Sequence, residues 1–194
     1  MKKSYLLIII ISFILFIAIT IMVKTCDLSF EKKIFDIISI DFFRKFMLFI
    51  TSFGEWFTFV LFVLVSLFIF SKRTNIIIVI NLLLSFLLNN VLKYTFVRER
   101  PTWKTMNLTT YSYPSGHTMV SFAFYGLLIY LIYKKYHGKY KKTIISLLAT
   151  LIFLIGLSRI YLGVHYFTDV IGAYLFSLGY LLLFIYIINR RKYV

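Results

Sequence analysis

Residues 5–23, YLLIIIISFILFIAITIMV, carry no charge and are long enough to cross a hydrocarbon core, which takes about 20 apolar residues in a helix. The run follows Met1-Lys2-Lys3, a basic start that also suits a secretory signal peptide. It is long for the apolar region of a signal, and no small-x-small cleavage pattern closes it, so it reads as a retained first helix. Further apolar runs at 46–70, 74–92, 119–133, 143–161 and 167–189 bring the expected number of membrane spans to six. Between the first two runs, residues 27–45 mix charge with Phe35, Ile38, Phe42 and Phe43. That spacing predicts an amphipathic helix lying in the headgroup plane.

Composition supports an all-α membrane protein. Of 194 residues, 61% are hydrophobic, 20% aromatic and only 15% charged, with a mean hydropathy of +0.90. A soluble domain carries roughly 25% charged residues, so this chain lacks the polar surface to cover itself in water. The net charge of +15 would suggest nucleic acid in a soluble protein. Here the basic residues cluster in short loops between apolar runs, which marks topology and anionic headgroups, and no nucleic-acid partner is expected. One cysteine, Cys26, excludes an intramolecular disulfide framework and a thiolate metal cluster. Two prolines and eight glycines leave no room for a flexible linker, so residues 1–194 are expected to form one domain.

Loop charge predicts orientation. With a cytoplasmic N-terminus, that side receives Lys2, Lys3, Lys72, Arg73, Lys134, Lys135, Lys139, Lys141, Lys142, Arg190, Arg191 and Lys192, and none of the seven acids. The positive-inside rule therefore predicts both termini in the cytoplasm. On the outer side Lys93, Arg98, Arg100, Lys104 and Arg159 are basic where topology does not ask for it. Snorkelling at helix ends accounts for Arg98 and Lys104.

Three outer segments carry the unusual polar residues: Lys93 through Arg100-Pro101, Pro114-Ser115-Gly116-His117, and Ser158-Arg159 leading to His165 and Asp169. His165 and Asp169 are four apart, so at the start of the last helix they would share a face. The carboxylate would then fix the imidazole's tautomer and leave the other nitrogen's lone pair as a nucleophile, although a purely structural His–Asp tie has the same spacing. Pro114 to His117 read as a helix start, where free N–H groups receive an anion, Gly116 allows close approach and Ser115 adds a hydroxyl. Lys93, Arg100 and Arg159 bring three cations from three segments, the arginines with a fork that matches two phosphate oxygens.

The pattern Lys-x6-Arg-Pro, Pro-Ser-Gly-His and Ser-Arg-x5-His-x3-Asp resembles the type 2 phosphatidic acid phosphatase superfamily, integral-membrane lipid phosphatases related in their active site to vanadium haloperoxidases. The motifs cover residues 93–169. The resemblance implies that His165 attacks phosphorus to form a phosphohistidine, oriented by Asp169. It implies that His117 protonates the leaving oxygen and later serves as base for water, and that Lys93, Arg100, Ser115, Gly116 and Arg159 bind the phosphate. No cofactor and no metal are expected.

Two other classes fit parts of the pattern. A metal-dependent hydrolase could use two histidines and a carboxylate as a facial triad, but three cations in the same pocket would repel the ion. A transporter with an anion site would hold its ionisable residues near mid-span, whereas here they gather at one face. The expected protein is thus a bacterial plasma-membrane enzyme with its site on the extracytoplasmic face. A substrate whose tail stays in the bilayer suits that position. Undecaprenyl diphosphate ranks first, phosphatidate and phosphatidylglycerol phosphate next; the sequence does not address oligomeric state.

Overall fold

The computed structural model describes residues 3–104 and 108–191, so Lys2 and Lys192, used above for orientation, lie outside the described residues. Among the described residues every regular element is a helix: α1 Lys3–Thr25, α2 Phe30–Ile38, a 3₁₀ turn at Asp41–Phe43, α3 Arg44–Ser52, α4 Trp56–Ile69, α5 Lys72–Phe96, α6 Gly116–Lys135, α7 Lys141–Tyr161 and α8 Phe167–Arg190. Five of them, α1 and α5 to α8, are long and apolar enough to cross a membrane. This is an integral membrane protein.

The second apolar run is not one straight helix. It divides at residues 53–55, and the segments Asp41–Ser52 and Trp56–Ile69 meet at 49°, which gives a sixth span if the bent pair is taken as one. The averaged hydropathy of 46–70 hides a polar corner, Thr51-Ser52-Phe53-Gly54-Glu55. At that corner the Phe53 carbonyl accepts a hydrogen bond from the Tyr125 hydroxyl at 2.7 Å, so α6 holds the bend. The segment 27–45 likewise divides, into α2, the 3₁₀ turn and the start of α3.

Helix α6 lies at the centre, packed against α5, α7 and α8, while α1 runs along α8, α3 along α7 and α4 along α5. Interhelical hydrogen bonds tie the centre together, as expected where small and polar side chains replace a hydrophobic driving force. Asn81 Nδ2 donates to the Ala123 carbonyl at 2.8 Å, and Ser177 Oγ to the Met119 carbonyl at 3.2 Å. Tyr113, fully buried in the loop before α6, stacks on Phe16 of α1 at 5.9 Å between centroids, and its hydroxyl pairs with Thr20 Oγ1 at 2.8 Å. The loop that carries Ser112 to Gly116 is thereby pinned to α1.

Candidate active site

The short connection from α7 to α8 builds one half of the site. Gly163 adopts φ +65°, a left-handed turn open to glycine at little cost. That turn folds the chain back so that the N–H groups of Val164 and His165 both donate to the Arg159 carbonyl, at 3.2 and 3.3 Å. His165 therefore sits before α8 and not on its first turn. Its approach to Asp169 comes from capping: Asp169 is the third residue of α8 and accepts from the Tyr166 N–H at 2.9 Å, which aims the carboxylate back at the preceding residue. His165 Nδ1 lies 3.2 Å from Asp169 Oδ2. Both side chains are buried. Burial holds the His165 pKa well below its ordinary value of 6.5; Lys93 and Arg100 push the same way and Asp169 opposes them. The neutral imidazole that results keeps a lone pair.

The other ring nitrogen, Nε2, faces Arg100 Nη1 at 3.3 Å. Arg100 is held by carbonyls: Nε donates to Thr110 at 2.7 Å and Nη1 to Val164 at 2.7 Å. Lys93, on the last turn of α5, also donates to carbonyls, those of Tyr111 and Ser112. Arg159, on the last turn of α7, donates from Nη1 to Thr51 Oγ1 at 2.6 Å. Among the described residues its buried Nε has no hydrogen-bond partner.

Helix α6 starts at Gly116, with Ser115 as its cap and Pro114 one residue outside. Among the described residues no side-chain cap hydrogen bond is made at this helix start. Ser115 Oγ accepts from Thr118 Oγ1 at 2.9 Å, which leaves its own proton to donate, and the Ser115 N–H donates to the Asp169 carbonyl at 3.1 Å, joining the two motif segments. A Cβ on Gly116 would stand 2.9 Å from Asn89 Oδ1, so the backbone there is close-fitted to α5. His117 Nε2 pairs with Glu55 Oε1 at 2.9 Å.

A cavity of about 520 Å³ connects these groups. Lys93, Arg100, Gly116, His117, Arg159 and His165 line its polar end; Phe59 and Val60 of α4 with Leu82, Leu83 and Phe86 of α5 line the other. Ser115 and Asp169 are buried behind the wall. The sequence-derived residues thus converge from α5, α6, α7, the start of α8 and the loops around them. Lys104 is exposed, as a snorkelling residue would be.

Arg98 differs from the snorkelling expectation. Its Nη1 bonds Asp169 Oδ1 at 2.6 Å and its Nη2 bonds Glu31 Oε2 at 2.7 Å, and its guanidinium lies over the Tyr166 ring at 3.9 Å. Glu31, buried on α2, also accepts from Thr168 N–H at 3.0 Å and Thr168 Oγ1 at 2.6 Å. Ser112 Oγ donates to Asp169 Oδ2. Sequence reasoning missed Glu31, Glu55 and Ser112. An acid beside a glycine inside an apolar run was the available signal for Glu55, and a place two residues before Pro114 the signal for Ser112; nothing local marks Glu31.

An all-helical membrane protein that gathers two histidines and three cations held by neutral oxygens at one end of an apolar cavity has the layout of a membrane-embedded phosphate site. The sequence model of the PAP2 superfamily matches residues 74–193, and the chain belongs to that superfamily. Phosphatidylglycerophosphatase B of Bacillus subtilis (strain 168) is 40% identical over 102 residues, which cover 51% of this chain and 49% of the relative. The chain thus matches about half the length of that curated relative. The crystal structure of a transmembrane PAP2-type phosphatidylglycerolphosphate phosphatase from Bacillus subtilis superposes with a TM-score of 0.83 at 27% identity, covering 96% of each chain. The crystal structure of Aquifex aeolicus LpxE gives 0.63 at 26% identity, covering 81% of this chain and 96% of the other.

Proposed function

We propose that this protein is a metal-independent lipid phosphatase that works through a phosphohistidine at His165. The carrying observation is the His165 ring, engaged by Asp169 at Nδ1 and turned at Nε2 toward a cavity lined by Lys93, Arg100 and Arg159. Nε2 attacks phosphorus and the bond to the ester oxygen breaks. His117 gives that oxygen a proton, releasing the lipid alcohol, or the shorter phosphate when the substrate is a diphosphate. Neutral His117 then takes a proton from water, whose oxygen attacks phosphorus; the P–N bond breaks and inorganic phosphate leaves. The unpartnered Arg159 Nε, the Ser115 hydroxyl and the N–H groups at the start of α6 are donors for the phosphate oxygens. Arg100 Nη1 now points at the nucleophilic lone pair, and a bound phosphate would draw it away.

The cavity's apolar end supports a lipid substrate. Val60, Leu83 and Phe86 are largely exposed on the helix surfaces that would meet lipid, so a tail can stay among α4 and α5 while the phosphate reaches the cations. Phosphatidylglycerol phosphate, named by two relatives, moves ahead of undecaprenyl diphosphate and phosphatidate. In this reading residues 1–194 form one domain with six spans, the bent pair counting as one. Helix α2 lies at the interface, both termini are cytoplasmic and the site faces outward across a bacterial plasma membrane.

Purified protein should release phosphate from these lipids far faster than from a soluble sugar phosphate, and should keep its activity after exhaustive chelation. His165→Ala should abolish turnover, and labelled substrate should leave phosphate on His165 of the wild type. Turnover by the His165 variant, or activity lost to chelation and restored by zinc, refutes the reading.

A further inference from the structure

Glu55 stands at the corner between α3 and α4. It is the one carboxylate among the described residues that line the cavity, beside Lys93, Arg100 and Arg159. A negative charge there opposes phosphate binding, so its presence needs a reason. Its Oε1 lies 2.9 Å from His117 Nε2. The corner is also shaped to the imidazole: a Cβ on Gly54 would stand 2.9 Å from His117 Cδ2. Arg159 from α7 and Arg100 from the α5–α6 loop line the same cavity, so an imidazolium at His117 would face two cations, and Glu55 is the carboxylate beside it.

We propose that Glu55 is a positioning residue for His117: it holds Nε2, leaves Nδ1 to exchange a proton with the substrate, and sustains the imidazolium that protonates the departing ester oxygen. The site then carries two carboxylate–imidazole pairs with opposite duties. Asp169 orients a neutral imidazole for attack on phosphorus, and Glu55 supports a charged one for departure of the alcohol. Protonation of the leaving oxygen turns His117 neutral and leaves Glu55 as a lone carboxylate beside the new phosphohistidine. That charge favours return of a proton to His117, which comes from the water that attacks phosphorus, so the same pair assists the second step. The break in the second apolar run also gains a purpose, since a straight helix would not turn the 55 position into the cavity.

The proposal rests on His117 as the leaving-group acid, and the test separates the two. Wild type, Glu55→Gln, His117→Ala and the double variant are assayed on dodecyl phosphate and on a nitrophenyl phosphate carrying the same alkyl chain. An alkoxide needs a proton to leave and a nitrophenolate does not. General acid catalysis contributes on the order of 10²–10⁴-fold, so Glu55→Gln should lose about tenfold or more in kcat on the alkyl ester and about threefold or less on the aryl ester. KM should stay level or fall, because a repulsive charge is gone. The double variant should match His117→Ala alone. Each comparison is a ratio of two activities from one preparation, so a smaller folded fraction cancels. If Glu55→Gln loses equally on both esters, or gains activity, Glu55 does not position the acid. If His117→Ala itself fails to discriminate between the esters, the assignment of His117 falls, and this proposal with it.

Discussion

Replacing Glu31 by alanine tests whether α2 reaches the site. Glu31 accepts three hydrogen bonds, from Arg98 Nη2, Thr168 N–H and Thr168 Oγ1, at 2.7, 3.0 and 2.6 Å. Arg98 in turn grips Asp169, which lies 3.2 Å from His165 Nδ1 and orients that ring in the proposed mechanism. Removing one member of a buried ion pair costs about 3–5 kcal/mol because the other charge is stranded. The Arg98 side chain is 14% exposed and keeps Asp169 as a second anion, so the lower end applies, about 3 kcal/mol. For a chain of this size roughly 2–4 °C of melting temperature accompanies each kcal/mol, which puts the Glu31→Ala variant some 6–12 °C below wild type in detergent.

Activity should change beyond stability. Without Glu31 the Arg98 guanidinium is free to shift on Asp169, and kcat per folded molecule should fall about tenfold, the size expected when a nucleophile's orienting group is loosened without being removed. Asp36→Ala is the control: Asp36 belongs to the same helix, but its pair with Lys32 is exposed on both sides. Exposed pairs contribute about 0–1 kcal/mol, so this variant should melt and turn over with wild type. Glu31→Ala melting with wild type would refute the buried network as a source of stability. Lost stability with unchanged kcat per folded molecule would refute the coupling to Asp169.

Two further outcomes follow from the same geometry. Because burial lowers the His165 pKa, the unfolded chain takes up a proton near pH 6.5 that the folded chain refuses; stability from this group is full above that pH and falls as pH drops below it. Melting temperature should therefore decline less for His165→Gln than for wild type between about pH 7.5 and about pH 5, and equal declines would refute the neutral imidazole. Cys26, exposed just after α1, should react with a membrane-impermeant thiol reagent in intact cells, whereas labelling that requires permeabilised cells would invert the proposed orientation.

The apolar runs were legible because a membrane span needs a minimum length of unbroken hydropathy and nothing subtler. The bend at residues 53–55 was not, because a window long enough to find a span averages away a corner of five residues. The motif residues were legible as types. Lysine, arginine and histidine are costly at membrane depth and stand out against leucine and phenylalanine. Their partners were harder to read. Spacing foresaw the His165–Asp169 pair, although the contact arises from a helix cap rather than a helix face. Glu31 contacts Thr168 across most of the chain, and no local pattern marks a carboxylate whose purpose lies so far away in sequence.

Arg98 and Arg100, two positions apart, show how the fold divides a motif between structure and its proposed chemistry. Arg98 is paired with two carboxylates, Glu31 and Asp169, so its charge is neutralised where it stands and has little left for a ligand. Arg100 and Lys93 are held by carbonyls of Thr110, Tyr111, Ser112 and Val164, and Arg159 by a threonine hydroxyl. Neutral acceptors fix a side chain's position and satisfy its donors in part, and among the described residues no carboxylate forms an ion pair with Lys93, Arg100 or Arg159. Such an arrangement is unfavourable in the empty protein, since a buried cation without an anion gives up hydration for weak returns. In the proposed reaction a dianionic phosphate would relieve that cost on arrival. The same distribution bears on Glu55, which lines the cavity with these cations. Glu55 is paired with His117 and, among the described residues, forms no ion pair with Lys93, Arg100 or Arg159, so in the proposed mechanism it would serve the acid while those cations stay available to the phosphate.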